Sequence, residues 1–354
     1  MKLNTQKKTT AVISILVFVL AIVLTLKFKQ KGTDSELDAS IENVVAHMHQ
    51  MIKADGAFEY EVDLVSGLPS QHNNIVRQAG AAFSLGENLQ INHTDYAQEM
   101  LDKVLSRFIM DSVETREAKS LLSEDGTGEG AKVGATALAI LAAVHFESAT
   151  GDRKFAEARE NWIQSLLSMR MEDRGFQSAP HIIRESPYFN GEGWLALARA
   201  RRLLDIRSFD VELESLDQYL MNRYKKELDI GFFHWGVMAA TERYLDTGEL
   251  GFIEFSELQV KNFLEERPET NPHSNSCYMI EGLASFVLAA NKYPKVFTSN
   301  MLDSVKERIN VEMEKNLRLQ IKDSAIEFPS ARVESDYLAT YAGGFRNSAY
   351  SLKT

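Results

Sequence analysis

Apolar residues recur at helical spacing along most of the chain, and the repeat predicts paired helices of two kinds. Between Thr94 and Met110, Tyr96, Met100, Leu101, Val104, Leu105 and Phe108 mark one face, with Thr94 as the N-cap. Met301, Leu302, Val305, Ile309 and Met313 mark another such face. Alternating with these amphipathic stretches are Gly/Ala-rich ones: 134–144 (GATALAILAAV), 193–200 (GWLALARA), 236–240 and 282–290. Small residues let helices approach closely, as an inner layer requires. The joints repeat too. Thr150-Gly151-Asp152 precedes Phe155 and Thr247-Gly248-Glu249 precedes Phe252. Each reads as a glycine closing one helix, an acid opening the next and an aromatic on the buried face. Asn291-Lys292-Tyr293-Pro294 before Phe297 has the form of a third joint. Eleven or twelve helices are expected, with strand character only at Ala57–Leu64. Repeated helical hairpins stack as an open solenoid or close into a ring, and periodicity does not choose between them.

One segment breaks this pattern. Thr9–Leu26 carries no charge and no proline, and at 1.5 Å per residue it spans about 27 Å, the thickness of a bilayer core. It runs directly into Lys27, Lys29 and Lys31 with no small-residue cleavage site, so a retained signal anchor is expected rather than a cleaved signal peptide. The expected organisation is an N-terminal anchor over 1–31 (membrane helix about 9–28), a short linker over 32–44 and one large domain over 45–354. A short N-terminal tail on the cytoplasmic side makes this a single-pass protein of a bacterial inner membrane, its domain extracytoplasmic. Six of the 39 basic residues and none of the 50 acidic ones fall in 1–31, so the remainder carries 33 basic against 50 acidic residues, a net charge of −17. That charge repels nucleic acid. With Cys277 as the single cysteine, no intramolecular disulfide forms.

Several stretches resemble the six-hairpin, (α/α)6-toroid glycosidase-like superfamily, in particular its membrane-anchored bacterial members of undefined activity. They are GAFEYEVDLVSG (56–67), NNIVRQAG (73–80), AKVGATALAILA (131–142), YFNGEGWLALARA (188–200), HWGVMAATERYLDTG (234–248) and GGFR (343–346). The resemblance implies an all-α fold, an (α/α)6 toroid behind a single N-terminal transmembrane helix. It also implies a cleft, at the mouth where the inner helices begin, that takes sugars or other polymers.

The polar residues ahead of the small-residue helices supply the candidates. Asp63, Glu129 and Glu192 are the candidate catalytic carboxylates, since glycoside hydrolysis needs two, roughly 5–5.5 Å apart for retention or ~6.5–9.5 Å for inversion. An acid that only caps a helix would occupy the same positions as Glu129 and Glu192. Asn74, Arg77, Tyr188, His234, Trp235, His273 and Arg346 are the candidate substrate-binding residues, a mix of amides, cations and aromatics suited to sugar hydroxyls and faces. Arg77 equally fits a structural bridge to Asp63. Metal chemistry lacks a ligand set: there is no HExxH, and His273 with Cys277 at i, i+4 falls short of the three or four ligands zinc needs. GTGEGAKVGA (126–135) lacks the Lys-Ser/Thr pair of a phosphate loop. No cofactor is expected. The function expected is a membrane-anchored glycosidase, lyase or uronyl epimerase acting on an envelope or exported polysaccharide. The alternative is a non-catalytic toroid that binds a polymer or partner protein beside a synthesis or secretion machine.

Overall fold

The computed structural model describes residues 33–354 apart from 227, 269–270, 293–298, 323 and 329–330. The apolar Thr9–Leu26 run and the third joint at 293–297 therefore lie outside the described residues. In chain order the helices are α1 (Thr33–Met51), α2 (Ile75–Ile91), α3 (Asp95–Met110), α4 (Val133–Thr150), α5 (Ala156–Ser168) and α6 (Pro187–Leu204). There follow α7 (Asp210–Tyr224), α8 (Ile230–Thr247), α9 (Leu250–Glu266), α10 (Cys277–Lys292), α11 (Ser299–Leu317) and the short α12 (Asp336–Thr340). Three two-stranded antiparallel hairpins interrupt them: β1 (Ser112–Val113) with β2 (Leu121–Leu122), β3 (Gln177–Ala179) with β4 (Ile182–Glu185), and β5 (Ala325–Phe328) with β6 (Ala331–Glu334).

The even-numbered helices from α2 to α10 pack side by side as an inner wall, each against the next, and each is backed by the outer helix that follows it. The sequence fits this division. On α3 only Ala97, Met100, Leu101, Val104, Leu105 and Phe108 are buried, whereas α4 is buried on every side from Val133 to Phe146. α4 is also the one described helix long and apolar enough to cross a bilayer, and it lies in the core of the ring. One glycine sits at each inner joint. A Cβ on Gly86 would overlap His145 of α4, on Gly134 it would overlap Glu192 and Phe189 of α6, on Gly191 it would overlap Trp235 of α8, and on Gly282 it would meet the His234 backbone. Gly193 serves a different contact, with the Phe176 ring beside the β3–β4 arm. The joints close as expected: Gly151 (φ 71°) and Gly248 (φ 73°) end α4 and α8 in the left-handed conformation, and Phe155 and Phe252 are buried beyond them.

Two expectations are corrected. Residues 33–44 are not a linker but the first part of α1, whose Leu37, Ile41, Val44 and Met48 are buried in the core. Ala57–Leu64 forms isolated bridges, Ile52 with Phe58 and Val62 with Pro69, rather than a strand. After α11 the one further described helix is the five-residue α12, whose Leu338 is buried with Leu64, Ile321 and Ile326 apart from the main core. This leaves a gap in the inner wall between α10 and α2. The gap is closed by the segment that follows, because Val62 and Thr354 exchange backbone hydrogen bonds (2.9 and 3.2 Å), and Leu64 N–H donates to Leu352 (2.9 Å). Gly343 packs against the Asn43 carbonyl of α1 at φ 91°, where a Cβ has no room.

Candidate functional site

Because inner and outer helices alternate, all inner helices start at one end of the ring, and their leading residues surround one mouth. Caps fix those starts. Asn74 Oδ1 accepts from Arg77 N–H (3.1 Å), Ser186 Oγ from Phe189 N–H (3.5 Å) and Asp229 Oδ1 from Gly231 N–H (2.9 Å). α4 starts at Lys132 with no capping side chain.

Below the mouth the ring axis is filled. The rings of Phe83 (α2) and Trp235 (α8), on non-adjacent helices, meet with centroids 6.0 Å apart, and the Arg199 guanidinium lies 5.2 Å from the Phe83 centroid. Arg199 then reaches three other inner helices at once. It bonds Glu87 of α2 and Glu242 of α8 (Nε to Oε1, 3.1 Å), and His145 Nε2 of α4 accepts from its Nη1 at 2.7 Å. His145 Nδ1 faces Gln90 Oε1 at 2.5 Å, so Nδ1 carries the proton and the imidazole is neutral. Burial, then Arg199 and Arg202, hold its pKa well down. Arg202 takes the second oxygen of Glu242. Burial opposes ionisation of Glu242 but is outweighed by Arg202 and Arg199, so its pKa stays below the ordinary value. Glu87 goes the other way: burial lifts it to about 8 against the pull of Arg199, and its Oε2 has no hydrogen-bond partner. Burial, and then the charge of Glu87, raise Glu281 as well.

At the mouth stands Glu192, 4% exposed, its Oε2 without a hydrogen-bond partner. Burial raises its pKa well above the carboxylate range, and among the described residues no cation and no second carboxylate acts on it. Tyr188, 43% exposed, covers this end. Its phenol is raised by burial and then by the charges of Asp229 and Glu192. Tyr278 is raised by burial and then by Tyr188, and its ring lies 5.3 Å from that of His234. His234 is buried, its Nδ1 unpartnered and its pKa lowered to about 3 by burial. Its ring lies 4.5 Å from the Trp235 ring. Glu192, Tyr188, Tyr278 and His234 thus form an arc of neutral, proton-bearing groups above the Trp235–Phe83 floor.

The other candidates are placed elsewhere or engaged otherwise. Asp63 Oδ1 accepts from Val65 N–H, Ser66 N–H and Ser66 Oγ, an Asx turn whose bonds hold its pKa down. Asn74 is spent as a cap. Arg77 is buried, donating to Tyr60 Oη at 2.7 Å with the Tyr60 ring 5.4 Å away. Glu129 is exposed in an open cleft of about 580 Å³ that it shares with Pro180 and His181 at the tip of the β3–β4 arm. His273 precedes α10, so it shares no helix face with the buried Cys277; its ring lies 5.0 Å from that of Tyr350 in the closing segment, tilted by 52°. Arg346 is buried beside Phe328 (5.1 Å) and donates to the Ala349 carbonyl. Sequence reasoning missed the axial network, although it had a signal. Glu87, His145, Arg199 and Glu242 are each the thirteenth residue of an inner helix, a polar group recurring at the same position of successive Gly/Ala-rich helices.

No family model matches the sequence, and no curated protein matches it. Solved structures do. A D-mannose isomerase superposes with a TM-score of 0.65 at 11% identity over 92% of this chain and 96% of its own. The GH76A α-1,6-mannanase of Salegentibacter sp. HEL1_6 gives 0.63 at 12% identity over 86% and 96%. An unsaturated glucuronyl hydrolase specific for heparin gives 0.57 at 11% identity over 90% and 94%. At such identities the likeness is one of fold. The chain has the (α/α)6-toroid glycosidase-like fold.

Proposed function

We propose that the chain is a carbohydrate-active enzyme that moves a proton at the ring mouth of its toroid, with Glu192 as the acid–base group. One observation carries this: a buried carboxyl with a free oxygen, kept neutral by desolvation, is a proton donor at neutral pH and a strong base once it has given the proton up. Neutral His234 offers its unshared Nδ1 to a sugar hydroxyl, Tyr188 a second donor, and Trp235 an apolar floor for a sugar face. The neighbouring folds belong to enzymes named for mannose, mannan and glucuronyl substrates, which supports a sugar ligand. Paired-carboxylate hydrolysis finds less support, because neither Asp63 nor Glu129 acts on Glu192. Proton transfer of the epimerase or lyase kind needs no second carboxylate.

The test is incubation with a panel of neutral and acidic glycans in D₂O, followed by NMR. Deuterium at a sugar carbon, or a new unsaturated sugar, is expected. New reducing ends without either would sink the proton-transfer reading in favour of hydrolysis. No change in any glycan would leave the non-catalytic binding toroid, a reading favoured by the filled ring axis, which makes the mouth shallow.

The anchor belongs to the same proposal. α1 is an outer helix, so it starts at the face opposite the mouth, and its 19 residues are roughly 28 Å long. A membrane helix joined just ahead of Thr33 then holds the mouth away from the bilayer, open to a polymer outside the cytoplasm. The chain is expected to sediment with membranes and resist carbonate extraction; recovery in the soluble wash would reject the anchor.

A further inference from the structure

Next to the mouth, the β3–β4 arm and the starts of α4 and α6 enclose a cleft of about 560 Å³. Its composition runs against the rest of the domain. Where the surrounding chain is strongly acidic, two cations line the cleft, Lys132 and Arg184. Among the described residues neither side-chain cation is hydrogen-bonded or ion-paired. The one acid in the lining, Glu185, is consumed by the fold. Its Oε1 accepts from Tyr219 Oη (2.7 Å) and Gly175 N–H (3.4 Å), and its Oε2 from Asn190 Nδ2 (3.0 Å). Glu124 is near enough to feel Lys132, and burial, the larger effect, raises its carboxyl. Two further features face the same way. α4 begins at Lys132 with no capping side chain, which leaves the positive end of an 18-residue helix dipole uncovered. The cleft is also continuous with the mouth: Phe189, which lines it, and the unpartnered Glu192 carboxyl both abut Gly134 in the first turn of that helix. Ile182 and the Phe189 ring supply apolar surface for a pyranose face.

Resting on the reading of a glycan-acting mouth, we propose that this cleft binds an anionic sugar residue, its carboxylate or sulfate ester held by Lys132, Arg184 and the start of α4. The neighbouring sugar of the same chain then lies over Glu192. Specificity arises from both signs of charge: the acidic surface repels a polyanion everywhere except at this cleft, so the chain is admitted in one place and one register.

The full-length chain in detergent is titrated calorimetrically with three oligosaccharides of equal length, one of glucuronate, one sulfated and one uncharged. Charged oligosaccharides are expected to bind, to weaken as salt is raised, and to lose about tenfold or more in affinity in the K132M/R184M double variant. Whichever charged oligosaccharide binds more tightly identifies the anion. Arg184 is exposed on the arm, so R184Q alone carries the test if Lys132→Met disturbs the start of α4. Equal affinity for the uncharged oligosaccharide, or unchanged affinity in the variants, overturns the anion site while leaving the glycan reading intact. Failure of all three oligosaccharides to bind overturns both.

Discussion

Glu192→Gln is expected to abolish turnover, by about 10²-fold or more, without lowering the melting temperature. The amide keeps the shape of the side chain and removes the acidic proton and the carboxylate base it leaves behind. Stability is spared because Glu192 Oε2 has no partner to lose and no cation compensates the carboxyl. A buried group of this kind costs folding free energy once pH allows it to ionise in the unfolded chain. The sign follows from the raised pKa. Its contribution to stability is fully present below the unfolded carboxyl value, near pH 4.5, and is lost as pH rises toward the folded value. Glu87, lifted to about 8, acts in the same direction across pH 4.5–8. The buried His145 and His234, lowered by burial, act in the opposite sense below the unfolded histidine value near 6.5. Above it the acids dominate, so wild-type protein should unfold at lower temperature at pH 8 than at pH 7, and Glu192→Gln should flatten part of that slope. Retained turnover in the variant would remove Glu192 from the chemistry. A melting temperature lowered at both pH values would mean that the carboxyl has a structural partner.

Much of this architecture is legible in the sequence, and its limits have physical causes. The Thr-Gly-acid joints and the Thr94 cap are local devices, so they are found where the sequence puts them: Thr94 Oγ1 accepts from Ala97 N–H at 3.1 Å. The Gly/Ala-rich stretches identify the inner helices because close packing demands small residues at defined points, and Gly86, Gly134, Gly191 and Gly282 mark those points. The hairpins β1–β2, β3–β4 and β5–β6 were not legible. Strands of two to four residues are too short to show alternation, and β4 is mostly exposed, so no buried face imposes a pattern. Residues 33–44 read as a linker because α1 buries only a narrow stripe, and its polar faces dominate the composition. At the mouth, Tyr188, Glu192, His234 and Trp235 come together because all four lie in the first two turns of α6 and α8. Asp63 and Glu129 sit in loops, where a side chain is as readily taken up by its own turn as aimed at a neighbour.

Arg199→Met is expected to be the most destabilising single substitution in the domain, by about 3–5 kcal/mol, since it strips the cation from a buried network while leaving the acids behind. Arg199 is 7% exposed and bonds Glu87, Glu242 and His145, from three different inner helices. Its two carboxylates are not equivalent. Glu242 is ionised between Arg199 and Arg202, so Glu242→Gln leaves two buried guanidiniums short of a counter-charge and should also be costly. Glu87 already favours its neutral form in the folded protein, so Glu87→Gln replaces one neutral acceptor by another and should cost much less. Denaturant unfolding of the three variants at pH 7, compared at equal m-value, reads these differences directly. Combining Glu87→Gln with Arg199→Met should recover part of the loss, because the acid left unpaired by the methionine is then an amide, and a double-mutant cycle measures the coupling. If Glu87→Gln proves as damaging as Glu242→Gln, Glu87 is ionised in the folded ring and Arg199 is clamped by two charges rather than one. The axis below the mouth would then carry one more negative charge, and a polyanion entering from above would have to overcome it.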